Sequence, residues 1–374
     1  MISPEHFFRT LSHYGTHFYT GVPDSLLKSF CSYVEDHVSQ KNHIIGANEG
    51  GCVGLAAGYY LSTGKIPLVY MQNSGLGNIV NPLTSLVDQE VYSLPMLLLI
   101  GHRGRPGTID EPQHVKMGRV NLPLLECLEI PYRILSSEQE EDCLKEAYSS
   151  MEKRRAPFAL VVEKGTFSPY SSSKEELSRL PLSRFDSLEF CVKHLSSDAV
   201  IISTTGHLSR ELYKIRFQED PKGKDRKKDF KVVGSMGHAS QIAMGVAQNA
   251  KRNVFCFDGD GASLMHLGNL AICGQKAPKN FRHILFNNGA HGSVGGQKTI
   301  GHAIDFTAVA LACGYKKGWK ITTLGDLEMV WEEFHSAEGP VFLEILTNTR
   351  VDDDLPRPKE SPIEARNMFM NFIK

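Results

Sequence analysis

The sequence predicts an α/β protein built from two similar domains, each a parallel sheet flanked by helices. Three observations carry that expectation. The segment VFCFDGDGASLMHLGNLAICGQKAPKNFRHILFNNGAHG reads as strand, tight turn, helix, strand and turn, with apolar runs at 254–257 and 283–286. The polar stretch GTFSPYSSSKEELSRLPLSR breaks the chain between an apolar strand at 158–162 and another at 199–202. The two sides of that break echo each other at a nearly constant separation. Gly46, Ala57-Gly58, the run 68–71, Ser74-Gly75 and Leu76-Gly77-Asn78 stand opposite Gly234, Met244-Gly245, the run 254–257, Asp260-Gly261 and Leu267-Gly268-Asn269. Composition places a first domain over 1–170, a linker over 171–190 and a second domain over 191–374.

The 374 residues suffice for two cores of ordinary size, and a hydrophobic content of 41% suits a soluble globular protein. A formal net charge of −1 leaves no global field to favour nucleic acid or an anionic membrane. The longest apolar run, 94–100, is too short to span a bilayer. The run PKGKDRKKD at 221–229 lacks interleaved aromatics, so a solvated loop is expected there rather than a nucleic-acid patch. The eight cysteines form no C-x-x-C pair and sit mostly inside apolar runs, as reduced core residues of a cytoplasmic protein do.

Along the first half, Met1-Ile2-Ser3-Pro4-Glu5 reads as a helix start, with Ser as N-cap and Pro at the first helical position, rather than a signal peptide. FYTGVPD at 18–24 reads as strand and turn, and LLKSFCSYVE as the helix that follows. Asp24 or Ser25 would cap that helix, unless Asp24 is a reactive acid. HIIGANEGGCVGLAAGYY ends a strand and opens a Gly/Ala-rich helix that should be buried. Glu49, at that junction, either satisfies the helix N-terminus or is a functional acid whose pKa is raised by partial burial. After a strand at 96–100, the loop GHRGRPGTIDEPQHVKMGR brings His102, Arg103, Arg105, Gln113, His114, Lys116 and Arg119 toward the same sheet edge. With no excess of Lys and Arg elsewhere, that gathering suggests an anion with several charges.

In the second half, Gly259-Asp260-Gly261 lies at one strand end and Asn287-Asn288 at what should be a neighbouring one. Ligands of open α/β sheets bind at such carboxyl ends. A carboxylate, carboxamide oxygens, a carbonyl and a diphosphate make an all-oxygen shell suited to Mg²⁺. The glycines let backbone N–H groups approach phosphate, with the helix dipole behind them. Asp-Gly and Asn-rich turns are common singly; both at this spacing after apolar strands are not.

This GDG–NN arrangement resembles the cofactor motif of thiamine-diphosphate enzymes. The resemblance implies that Asp260, Asn288 and the Ala290 carbonyl bind Mg²⁺, with Asn287 as the alternative carboxamide. It implies that Gly259 shapes the turn, that Gly261 and Ala262 lend N–H groups to diphosphate, and that Thr205, Gly206 and His207 add further diphosphate contacts. The Gly234 carbonyl would hold the 4′-amino group, and Met236 would be the apolar wedge beneath the cofactor. Glu49 would share a proton with N1′ of the aminopyrimidine, as in the pyrimidine-binding domain of this superfamily. In that superfamily the two domains serve one cofactor from different subunits, so a homo-oligomer is implied.

The FYTGVPD turn resembles that of thiamine-dependent 2-keto-acid decarboxylases, where the Asp relays protons at the reacting carbon. The runs GVPDS, QNSGLGN, GHRG, EPQH, GSMGHAS and NNGAHGSVGGQ together resemble the phosphonopyruvate decarboxylase family, and similarly the sulfopyruvate decarboxylases, nearly end to end. The implied substrate is a 2-keto acid with a second anionic group, met by Asp24, His102, Arg103, Arg105, Gln113 and Lys298, with His114 as a second proton carrier. General pyruvate decarboxylases carry a middle domain, for which this chain has no room, and a His-His pair, which is absent here, Gln113-His114 being the nearest counterpart. Sulfopyruvate decarboxylases often divide the two domains between chains, so a fused chain favours the phosphonate. A nicotinamide oxidoreductase would need a third glycine that GLGNIV and GDGASL lack. Acetolactate-like carboligation would be expected to bring a flavin-binding middle domain. A non-catalytic binding protein would be expected to lose Glu49 or the metal ligands.

Overall fold

The computed structural model describes residues 1–172, 180–220, 225–352 and 354–374. Contacts group the chain into two compact units, 1–175 and 176–374. The first holds strands β1 Tyr19–Gly21, β2 His43–Ile45, β3 Leu68–Gln72, β4 Leu97–Gly101, β5 Tyr132–Ile134 and β6 Phe158–Val162. The second holds β7 Val200–Ser203, β8 Asp229–Lys231, β9 Val254–Gly259, β10 Phe281–Asn287, β11 Lys317–Ile321 and β12 Val341–Leu346. The sheets run β2-β1-β3-β4-β6-β5 and β11-β12-β10-β9-β7-β8, with every neighbouring pair parallel. Read from the opposite edge, the second order is the first again. The fold is therefore two α/β sheets of one topology, as the echo between the halves predicts.

Central strands β4, β6, β7 and β10 are buried along their whole length, as parallel strands covered on both faces are. Leu97, Leu99, Phe158, Leu160 and Val162 join helix residues Phe7, Leu11 and Phe30 in one core of the first unit. In the second, Phe255, Phe257, Ile284 and Phe286 face one core, and Val254, Cys256 and Leu285 face another. Edge strands β5 and β8 have only three residues each and no apolar run to announce them, whereas the equally short β2 lies in the HIIG run read as a strand.

The charged run near 225 differs from the solvated loop expected of it. Residues 221–224 lie outside the described residues, as do 173–179 of the expected linker. Asp225–Lys228 forms a short 3₁₀ turn, and Asp229 is buried in β8. Arg216 reaches Asp229 with Nε and Nη2, both at 3.1 Å, and Arg226 pairs with Glu360. Charges that look solvated in sequence are neutralised by partners remote along the chain. The helix Arg184–Lys193 begins inside the stretch read as linker, because Ser183 accepts from Asp186 N and caps it. No helix among the described residues is long and apolar enough to cross a membrane.

Candidate active site

In each sheet the strand order reverses beside the first strand of its unit, between β1 and β3 and between β7 and β9. A crevice opens beyond the carboxyl edge at such a point. Asp24 follows β1 at the first of these places, and Gly206-His207 and Asp260 follow β7 and β9 at the second.

In the first unit, Asp24 follows β1 and is fully buried. Gln72 Nε2, at the end of β3, donates to its Oδ1 at 2.6 Å, and Leu26 N donates to its Oδ2 at 3.0 Å. Ser74 Oγ in turn donates to Gln72 Oε1 at 2.8 Å. Burial raises the Asp24 pKa, opposed by these donors and by nearby Arg103. The carboxylate closes a turn on Leu26 and does not cap the next helix, Lys28–His37, whose N-cap Leu27 has no side-chain bond. Gly101 at the end of β4 leaves the room, since a Cβ there would fall 2.1 Å from Asp24 Oδ2.

Glu49 is the first residue of the helix Glu49–Thr63 and is 4% exposed. The cap of that helix is Asn48, whose Oδ1 accepts from Gly50 N at 2.8 Å, so the capping duty weighed for Glu49 falls to its neighbour. Asn78 Nδ2 donates to Glu49 Oε2 at 2.7 Å. A Cβ at Gly75 would lie 2.5 Å from Glu49 Oε1, so glycine is required for the carboxylate to pass.

The cation-bearing loop is more self-contained than its composition suggests. Arg103 grips Asp110 with Nε at 2.8 Å and with Nη2, while Nη1 donates to Ser25 Oγ at 2.9 Å. This pairing holds the Asp110 carboxyl well below the usual range. Arg105 Nη1 donates to Glu163 at 2.7 Å on the surface. His102 is buried, with Nε2 2.9 Å from Gly118 O. His114 is buried at the start of the helix Pro112–Cys127, and burial, then Arg103, lowers its pKa. Gln113 is partly buried, and Lys116 and Arg119 are exposed on the same helix.

In the second unit, β9 and β10 are neighbours in register, with Phe286 opposite Gly259, so their two turns lie side by side. Asp260 opens the short helix Asp260–Met265 and is 1% exposed. Burial pushes its carboxyl up to about 6. The end of the Asn288 carboxamide lies 3.0 Å from Asp260 Oδ1 and 3.1 Å from the Ala290 carbonyl oxygen. With the amide nitrogen there, it bridges two acceptors; with the amide oxygen there, three oxygens converge. An all-oxygen set of that kind suits a hard divalent cation. Asn287 points elsewhere: its Nδ2 donates to Gly301 O and Glu344 Oε1, both at 2.9 Å, and its Oδ1 accepts from Gly289 N. Of the two carboxamides, Asn288 is the one that lies beside Asp260.

Gly206 has φ +89° and leads into the helix His207–Glu219. Burial pushes His207 down to about 4, and its Nδ1 has no hydrogen-bond partner among the described residues. A Cβ on Gly292 would lie 3.6 Å from His207 Nδ1 and 3.7 Å from Asn288 Nδ2, so these residues share one crevice. Thr205 is turned to Val233 O at 2.9 Å. Ser235, between Gly234 and Met236, has φ +52°, a costly setting for a non-glycine residue that marks a constrained loop. The Met236 methyl carbon is 3.5 Å and the His291 ring 3.1 Å from where a Gly261 Cβ would sit. Ala262 is buried in the same turn, whereas Lys298 is exposed.

Sequence reasoning did not find Gln72 and Asn78, which hold the two carboxyl groups of the first unit, nor Thr299, His291 and Glu344 in the second. The only signal was their density, as in QNSGLGN directly after an apolar strand.

Comparison with known proteins identifies the family. The thiamine pyrophosphate enzyme N-terminal TPP binding domain matches residues 3–120, and the C-terminal TPP binding domain matches residues 216–345. A phosphonopyruvate decarboxylase of Streptomyces viridochromogenes is 34% identical, the alignment covering 94% of this chain and 90% of that protein. One from Streptomyces hygroscopicus is 33% identical, with 100% and 94% covered. A sulfopyruvate decarboxylase of Methanosarcina acetivorans is 26% identical over 86% of this chain and 85% of its own length. That last match removes chain fusion as a ground for choosing between phosphonate and sulfonate. Two glycine-lined strand ends, each presenting a buried carboxyl group, and relatives matched over nearly their whole length lead to one assignment: the chain belongs to the phosphonopyruvate decarboxylase family of thiamine pyrophosphate enzymes.

Proposed function

We propose that this enzyme, a 2-keto-acid decarboxylase, uses thiamine diphosphate and Mg²⁺ to convert phosphonopyruvate to phosphonoacetaldehyde and CO₂, in phosphonate biosynthesis. The observation that carries the cofactor reading is that the end of the Asn288 carboxamide lies within hydrogen-bond distance of both Asp260 Oδ1 and the Ala290 carbonyl oxygen. The substrate reading rests on the names of the relatives.

Thiamine diphosphate, when bound, supplies a nucleophilic carbon and an electron sink that lets a 2-keto acid lose CO₂. Glu49 is proposed to hold a proton against the aminopyrimidine N1′, its rotamer fixed by Asn78. Gly234 and Met236 would orient the ring, the first through its carbonyl and the second through its methyl. Gly261, Ala262, Thr205, Gly206 and His207 would meet the diphosphate, and Asp260, Asn288 and the Ala290 carbonyl would hold the cation that it shares. Asp24, with proton affinity raised by burial, would carry the proton that replaces CO₂. Gln72 keeps that carboxyl oriented. Arg103 stands beside Ser25 and is proposed to meet the second anion through Nη1, with Asp110 fixing the guanidinium plane. His102, Arg105, Gln113, His114 and Lys298 complete the proposed substrate set. Burial keeps His114 largely neutral near pH 7, which suits a group that passes a proton on.

Sulfopyruvate is the second reading, favoured by the single-chain sulfopyruvate decarboxylase among the relatives. We further propose a homo-oligomer, in which the units of different subunits serve one cofactor. A cytoplasmic location is supported by eight unpaired cysteines. The separating experiment is kcat/KM for phosphonopyruvate, sulfopyruvate and pyruvate side by side. A preference of tenfold or more for phosphonopyruvate, about 1.4 kcal/mol of discrimination, is expected. A preference for sulfopyruvate would transfer the assignment.

A further inference from the structure

The proposed cation site has a second layer that reaches beyond the cofactor motif. Asp260 has two carboxylate oxygens, and they face different ways. Oδ1 faces Asn288 and the Ala290 carbonyl. Oδ2 accepts from the Thr299 hydroxyl. That hydroxyl also accepts from Gly301 N at 3.0 Å, so its proton is committed to Asp260. Thr299 N donates to Gly289 O at 2.9 Å, which ties the same residue to the turn carrying Asn288 and Ala290.

Behind Thr299 the chain of bonds continues into the core. Gly301 O accepts from Asn287 Nδ2 at 2.9 Å, and the same nitrogen donates to Glu344 Oε1 at 2.9 Å. Glu344, on β12, is fully buried. Its Oε2 accepts from Thr307 N at 3.3 Å and Thr307 Oγ1 at 3.2 Å, with Lys320 Nζ 3.7 Å away. A buried carboxylate with that many donors is fixed in place. The backbone leaves no slack either: a Cβ on Gly301 would fall 2.5 Å from Asp260 Oδ2 and 2.6 Å from Asn287 Oδ1.

We propose that Thr299, Asn287 and Glu344 form a strut that locks the Asp260 carboxylate with Oδ1 turned to the cation, so that Thr299 is a positioning residue for the metal. The inference rests on the reading of Asp260, Asn288 and Ala290 as the cation site. It also gives Asn287 its duty. The first Asn of the pair is structural, and the second is the proposed ligand. Partners of this kind hold a ligating oxygen in one orientation, and their loss typically weakens metal binding by about 10–100-fold.

Thr299→Val removes only the hydroxyl at nearly constant volume, and Thr299→Ser keeps it. The full chain, freed of metal, is titrated calorimetrically with MgCl₂ in saturating thiamine diphosphate, and thermal unfolding is followed without metal. The strut predicts a Kd for Mg²⁺ raised about 10–100-fold in Thr299→Val, an unfolding midpoint close to wild type, and near-wild-type Kd in Thr299→Ser. Equal Mg²⁺ affinity in wild type and Thr299→Val overturns the strut alone, as does a Thr299→Ser variant as weak as the valine. A wild-type chain that takes up no Mg²⁺ overturns the cation site itself, and the strut with it.

Discussion

Glu49 and Asp24 are buried carboxyl groups at neighbouring strand ends, and a carboxamide from another element fixes each one, Asn78 for Glu49 and Gln72 for Asp24. Glu49→Gln keeps size and hydrogen-bonding capacity while removing the acid. Turnover should fall at least about 100-fold with an unchanged unfolding midpoint, read by CO₂ release beside thermal melting. Normal turnover would remove Glu49 from its role. Gly75→Ala, far from any charge change, should also cut activity, because its Cβ would displace Glu49 Oε1. The two acids were legible in the sequence because an apolar strand and glycines announce each of them. Their carboxamide partners were not. Gln72 meets Asp24 only because β3 lies beside β1, and Asn78 meets Glu49 only because two helices pack, and neither adjacency is written in local spacing.

Among the elements, the loop after β4 is where composition misled most. Read as a string, it offers free cations; folded, Arg103 and Arg105 are already engaged by Asp110 and Glu163. The one guanidinium nitrogen turned toward Asp24's neighbour Ser25 gives Arg103 the stronger claim on substrate. Arg103→Ala should raise KM for phosphonopyruvate about tenfold or more while changing KM for pyruvate little, measured under identical conditions. Equal effects on both would indicate that Arg103 only supports the loop. The helix behind Glu49 makes a separate demand on stability. Asn48→Ala should cost about 1 kcal/mol in urea unfolding, since it strips the cap from Glu49–Thr63. The strongest strands, β4, β6, β9 and β10, were readable as apolar runs. The three-residue edge strand β5 was not, and β8 was hidden under charges that pair only in three dimensions.

At the scale of the whole molecule, the duplication visible in the glycine echo is one of strand order, while the polar side chains stand at different strand ends: Asp24 and Glu49 follow β1 and β2 in the first unit, and Asp260 and Asn288 follow β9 and β10 in the second. Stability should depend on pH through histidines buried without charge. His43 packs in the first unit with Nε2 2.9 Å from the Tyr70 hydroxyl, and burial pushes its pKa down to about 4. A depressed histidine is protonated more readily in the unfolded chain. Its contribution, up to about 3 kcal/mol, is therefore intact above about pH 6.5 and lost as pH falls toward 4. Urea midpoints should drop through that window, and a His43→Asn variant, weaker at pH 7, should drop less. Parallel slopes would assign the acid sensitivity to other groups. The most direct test of the central claim is CO₂ release from phosphonopyruvate by the full-length chain stripped of small molecules, with thiamine diphosphate and Mg²⁺ added singly and together. Release only when both are present is the predicted result; release without either, or none with both, would contradict it.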